Sequence, residues 1–280
     1  PGVHVDPTIR ALASRALAHA GAVIFEAEAT RTLYEDRAPR GTVVVPYGVD
    51  TAALDAFRAT TGKLAARRTL GLADHGRVLL VMGTVEPRKG QTLLAEAFAE
   101  LVSAHPEATL VFVGDLDTAY SAALREYVER AGLAERVRLE PVTLNALTWY
   151  RASDVLVCGS DVESLPRSVL DAMGLGVPVV ATRVFGNAEL LEDGETGLLF
   201  EPLDLGAAVA ALDRVLAMPR EDLDRLGERG RTRIHEDYDS SGYAGDVLTL
   251  LRGLLEDPKA LPKALLDQTP RANRPQSASS

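Results

Sequence analysis

The sequence predicts an α/β protein built on a doubly wound parallel sheet with helices on both faces. Short apolar runs without polar alternation, at residues 78–82, 109–113, 155–158 and 177–181, suit parallel strands buried on both faces. Between them lie segments of about 10–15 residues with helical spacing, as βαβ units require. Loops rich in turn formers follow the strands, such as Gly159-Ser160-Asp161. In open parallel sheets that edge is where ligands bind.

Residues 7–20 carry Ile9, Leu12, Ala13, Ala16, Leu17 and Ala20 at helical spacing. A strand at 22–25, a helix at 27–34 and a strand at 42–45 follow, ending in Pro46-Tyr47-Gly48-Val49-Asp50. Two strands flanking one helix form only part of a sheet, so 1–50 is expected to be the remnant of an N-terminal domain that starts upstream of Pro1. After a helical connector at 64–72, strand 78–82 opens a second sheet. Helix 91–102, strand 109–113, helix 121–131, strand 137–139 and helix 144–152 continue the alternation.

Strand 155–158 leads into a helix expected from near Ser164, with Leu165, Val169, Leu170, Ala172 and Met173 on its apolar face. Pro166 is expected in its first turn, where a missing N–H is tolerated. Gly174 and Gly176 end it, strand 177–181 follows, and a loop, a short helix and a strand reach residue 200. Residues 205–216 and 243–255 read as amphipathic helices. From about Leu261 the chain turns polar and Pro-rich, an expected disordered tail. The expected domains are therefore 51–240, a C-terminal helical segment at 241–260 and a tail at 261–280.

Of 280 residues, 46% are hydrophobic and 25% charged, the balance of a soluble globular protein. A net charge of -10 with dispersed Lys and Arg argues against a nucleic-acid partner. The single cysteine, Cys158, can form no internal disulfide and fits the core better than a nucleophile's role. With no membrane-spanning run and no signal peptide, a cytoplasmic location is the expectation. The five histidines show no ligand spacing, and G-x-G-x-x-G is absent, which disfavours a zinc site and a dinucleotide dehydrogenase.

Two stretches carry chemistry. Glu163 precedes the expected helix, and Asp171 lies about two turns further on. One acid can reach a ligand's sugar while the other meets a hydroxyl pair, with helix N–H groups between them for a phosphate. Spacing alone equally allows a capping or helix-dipole acid. The second stretch is Gly83-Thr84-Val85-Glu86-Pro87-Arg88-Lys89-Gly90, after strand 78–82. Its glycines allow close backbone approach, and its two adjacent cations suit a diphosphate or simply face solvent.

The run from Glu163 to Met173, followed by Gly176-Val177-Pro178-Val179-Val180-Ala181-Thr182, resembles the donor-site signature of retaining glycosyltransferases of the GT-B fold, family 4. Gly186-Asn187-Ala188-Glu189 and Asp193-Gly194-Glu195-Thr196-Gly197-Leu198-Leu199 extend the match. The 83–90 loop is similar to the family's phosphate loop, and the 46–50 segment to its hinge. This chain has Asp171 where Glu is usual, Thr84 where many members have Arg, and Tyr47 in place of Asn.

The resemblance implies transfer of a hexosyl group from a nucleotide diphosphate sugar to a hydroxyl acceptor, without a cofactor or metal. It implies catalytic roles for Glu163 on the sugar and for Lys89 and Arg88 on the diphosphate. Gly83, Thr84, Ser164 and Leu165 would bind the donor, Asp171 its ribose, and Val142 its base. The final helix is expected to pack on the N-terminal domain. Peripheral membrane contact and self-association are admitted as partners' modes.

Asp115-Leu116-Asp117 resembles the metal-holding Asp-x-Asp of the GT-A fold, but in this pattern a solvated loop is the better account. Two rival functions stand beside the transferase: a donor-binding module without transfer activity, and a nucleotide-sugar epimerase.

Overall fold

The computed structural model describes residues 7–34, 41–257 and 261–262. Of the tail expected at 261–280, residues 263–280 lie outside the described residues. Two compact units are formed: Val49–Asp239, and the residues up to Gly48 together with those from Ser240 on.

The first unit opens with α1 (Pro7–His19), β1 (Val23–Phe25), α2 (Glu28–Tyr34) and β2 (Thr42–Val44). Strands β1 and β2 pair in parallel, Val23 opposite Thr42 and Phe25 opposite Val44. A parallel pair needs a crossover, which α2 supplies.

The second unit begins with α3 (Thr51–Thr60), capped by the Asp50 side chain, which accepts from the Ala53 N–H at 2.9 Å. Then come α4 (Lys63–Thr69), β3 (Val78–Met82), α5 (Gln91–Leu101), β4 (Thr109–Asp115) and α6 (Ala119–Arg130). They are followed by β5 (Val137–Pro141), α7 (Ala146–Ala152), β6 (Val155–Cys158), α8 (Arg167–Gly174) and β7 (Val179–Thr182). The unit ends with α9 (Phe185–Leu190), β8 (Leu198–Phe200), α10 (Leu205–Ala217) and α11 (Arg220–Asp237). Helix α12 (Ser240–Glu256) belongs to the first unit, where Leu250 packs with Val43 and Val45.

The six strands of the second unit form one parallel sheet in the order β5-β4-β3-β6-β7-β8. Side chains alternate faces along a strand. Leu79, Val81, Leu110, Phe112, Val155 and Val157 join Leu94, Phe98, Leu124, Leu212 and Val215 of α5, α6 and α10 in one core cluster. The opposite-parity residues Leu80, Val111, Leu156 and Val179 are also buried. This explains the apolar runs without alternation: both faces are covered. Among the described residues no helix is long and apolar enough to cross a membrane.

Three sequence expectations are corrected. Helix α8 begins at Arg167, not near Ser164, and Pro166 is its N-cap in extended conformation rather than a first-turn residue. A proline disfavours helical geometry in the residue before it, so Leu165 cannot start the helix. The whole of α11 and the capped helix α3 were not anticipated.

Candidate active site

The sheet order places the candidate site. From β3 the chain moves outward through β4 and β5, then returns to the other side of β3 to form β6. The loops after β3 and β6 therefore diverge at the topological switch point, where open parallel sheets leave a crevice. Gly83–Gly90 follows β3, and Gly159–Pro166 follows β6.

The two loops are joined by backbone. Gly90 is left-handed, φ +70°, and a Cβ there would lie 2.2 Å from the Gly159 carbonyl oxygen. Only glycine permits that approach. The Asp161 N–H donates to the Arg88 carbonyl at 2.9 Å. A 3-10 turn at Pro87–Lys89 then aims Lys89 across the crevice.

Lys89 Nζ pairs with Glu163 Oε1, and Arg88 Nη1 lies 3.8 Å from the same oxygen. Ser160 Oγ donates to it at 2.8 Å. These contacts all fall on Oε1; among the described residues Oε2 accepts no hydrogen bond. Arg88 also pairs with Glu86 at 2.8 Å and is half exposed. The structure thus brings together Glu163, Lys89 and Arg88, which lie 74 or 75 positions apart in sequence.

The other sequence candidates stand apart from that contact. Gly83 directly follows β3, with its N–H donating to the Val113 carbonyl at 2.9 Å. Thr84 is exposed, and its carbonyl accepts from Gln91 Nε2. Ser164 and Leu165 precede α8, whose first N–H groups are therefore those of Arg167 and Ser168. Asp171 pairs with Arg167 at 3.0 Å. Burial raises the Asp171 pKa, with Arg167 opposing. Val142 follows β5, two strands or about 10 Å from β3, and is 58% exposed.

Cys158 is buried at the end of β6. Burial, helped by the nearby Glu163 charge, pushes its thiol pKa up, which suits a core residue. Asp115 is buried at the end of β4 and pairs with Arg125, which also holds Asp117 at 3.0 Å. Among the described residues no group of three or more His, Cys, Asp or Glu side chains could hold a metal ion. Sequence reasoning missed Ser160, whose only signal was its place in a turn-forming loop.

Residues 63–233 match the family profile described as glycosyl transferases group 1. The D-inositol 3-phosphate glycosyltransferase of Geodermatophilus obscurus is 39% identical over 201 residues, covering 68% of this chain and 43% of that protein. The chain spans about half the length of the curated relatives it matches. Sucrose-phosphate synthase from Thermosynechococcus elongatus superposes with a TM-score of 0.79 at 26% identity, over 90% of this chain and 63% of that one. Anabaena HepE in complex with UDP-glucose gives a TM-score of 0.80 at 22% identity, over 90% and 69%, a likeness of fold. The chain belongs to the glycosyl transferases group 1 family and has its GT-B type of fold.

Proposed function

We propose that this chain provides the donor site of a retaining family 4 glycosyltransferase, which moves a hexosyl group from a nucleotide diphosphate sugar to a hydroxyl acceptor. The observation that carries this is the convergence of Lys89, Arg88 and Glu163 from two loops at the switch point of the sheet. Lys89 and Arg88 offer charge to the diphosphate, and Glu163 offers a carboxylate oxygen to sugar hydroxyls. With a donor bound, Lys89 exchanges part of its contact with Glu163 for phosphate oxygens.

In the transfer, the bond from the anomeric carbon to the diphosphate oxygen breaks. The acceptor hydroxyl forms the new bond and loses its proton. Negative charge builds on the leaving diphosphate, where fixed cations and helix N–H groups stabilise it. Asp171 on α8 is assigned to the ribose hydroxyls and Val142 beyond β5 to the base. The two strands that separate β5 from β6 support an extended ligand along this edge.

Divalent metal has no assigned part: Arg125 already holds Asp115 and Asp117. The test is calorimetric titration with UDP and UDP-glucose in chelator. Binding that survives chelator and falls at least tenfold in Lys89→Ala supports the proposal, and no binding by the unaltered chain contradicts it. The anomeric configuration of the product tests retention.

A further inference from the structure

We infer that Ser160, Thr182 and Asn187 form a buried positioning relay that orients Glu163, so that recognition of the sugar, rather than of the diphosphate, depends on it. The inference rests on the donor-binding role proposed above. Ser160 lies in the loop after β6, Thr182 ends β7, and Asn187 lies in α9; none is more than 1% exposed.

The relay runs in one direction. Asn187 Nδ2 donates to the Thr182 carbonyl at 3.1 Å and to Thr182 Oγ1 at 3.3 Å. That leaves the Thr182 hydroxyl proton for the Ser160 carbonyl, to which Oγ1 donates. The Ser160 backbone is thereby fixed, and its own hydroxyl donates to Glu163 Oε1 at 2.8 Å. The main chain follows the same route, since the Gly186 N–H donates to the Glu163 carbonyl at 3.3 Å. The end of β7 and α9 therefore reach Glu163 twice, directly at its backbone carbonyl through Gly186 and, by way of Ser160, at its carboxylate.

Packing alone does not account for Asn187. Its Oδ1 is buried without a hydrogen-bond partner among the described residues, which costs stability. What the amide contributes is what its nitrogen donates. Lys89 and Arg88 reach the crevice from the loop after β3, which is tied to Gly159 and Asp161 rather than to Thr182. Loss of the relay accordingly leaves the carboxylate held only by Lys89 and Arg88, the cations that the diphosphate also draws. Ser160, Thr182 and Asn187 act through Glu163 and are positioning residues.

The test titrates the full chain with UDP and UDP-glucose in wild type, Ser160→Ala, Thr182→Val, Thr182→Ser, Glu163→Gln and the Ser160→Ala/Glu163→Gln double variant. Crystal structures of wild type, Ser160→Ala and Thr182→Val accompany the titrations. Ser160→Ala and Thr182→Val are expected to weaken UDP-glucose about tenfold and UDP by less than about twofold. Thr182→Ser restores wild-type affinity, and Ser160→Ala adds nothing to Glu163→Gln, the non-additivity of residues acting as one unit. In the variant crystals the Glu163 side chain leaves its wild-type position.

Equal losses for both ligands, no rescue by Thr182→Ser, or an unmoved Glu163 overturns the relay. Wild type that binds neither nucleotide overturns the donor-binding role instead. In that event the position of Glu163 in the variant crystals alone decides the relay.

Discussion

Strand β6 has a carboxylate at each end, and the two are treated differently. Asp154, just before the strand, has a side chain 1% exposed and every acceptor position used. Lys63 and Arg220 meet Oδ1, while Arg67 and the Val78 N–H meet Oδ2. Glu163, in the loop after the strand, also draws a lysine and an arginine, yet all its partners crowd one oxygen. A saturated, buried carboxylate ties elements together: here α4, β3, β6 and α11. A half-satisfied carboxylate at the ligand-binding edge keeps capacity for something else. The crevice of about 300 Å³ beside Asp154 obeys the same rule, since Arg58, Lys63 and Arg220 along its wall are already paired with Glu228 and Asp154.

The largest expected effect falls at the structural end. Asp154→Asn leaves Lys63, Arg67 and Arg220 without their shared anion and is expected to cost about 3–5 kcal/mol of stability, read from urea unfolding. Burial pushes the Asp154 pKa up, but Lys63, the Val78 N–H and Arg67 outweigh it and hold it below the ordinary carboxylate range. Its stabilisation is therefore complete above the unfolded pKa of about 3.9 and is lost as pH falls through the lower folded value. Asp171 has the opposite sign: its raised pKa contributes stability below about pH 3.9 that is lost as pH rises through the folded value. Stability measured against pH should lose part of its acid-side fall in Asp154→Asn, and in Asp171→Asn the decline that sets in as pH rises above about 3.9.

At the ligand end the expected effects are on affinity. Glu163→Gln should weaken nucleotide-sugar binding by about 1.5–3 kcal/mol, tenfold to a hundredfold, and free nucleoside diphosphate much less. Lys89→Ala should weaken both ligands alike, because the diphosphate is common to them; a selective loss would reassign Lys89 to the sugar. The smallest effect is expected for Asp117→Ala. Its side chain is 89% exposed, and donor affinity with or without chelator should not change. A chelator-sensitive loss there would return the Asp115-Leu116-Asp117 loop to the site.

Much of the second unit was legible because its sheet is buried on both faces. Apolar runs such as 78–82 and 155–158, short and bounded by turn formers, carry the pattern of strands covered on both faces. Helix α11 was not legible: Leu223, Leu226 and Ile234 are its only large buried apolar side chains, set in a highly charged segment. Its packing depends on backbone approach, since a Cβ at Gly227 would lie 2.3 Å from the Gly176 carbonyl oxygen. Hydrophobic periodicity carries no trace of such contacts. Helix α3 was hidden in a similar way, its Asp50 cap being read as the end of a hinge.

At the site, residue types and loop positions could be read, but partnerships could not. Nothing in either motif says that Lys89 touches Glu163, because that contact depends on β3 and β6 being neighbours in the sheet. Ser160 was visible only as a loop residue and Asn187 only as part of the 186–189 match, and their roles appear once β7 is placed beside β6.

The two ends of β6 divide stability from ligand recognition. The direct measurement is a two-by-two comparison of Asp154→Asn and Glu163→Gln, each assayed for urea stability and for UDP-glucose affinity at a temperature where both are folded. Asp154→Asn should lower stability by about 3–5 kcal/mol and leave affinity within about twofold. Glu163→Gln should lower affinity at least about tenfold and cost less stability than Asp154→Asn does. If Glu163→Gln instead destabilises the fold as Asp154→Asn does, with affinity unchanged, Glu163 is a structural ion-pair partner and the site lies elsewhere.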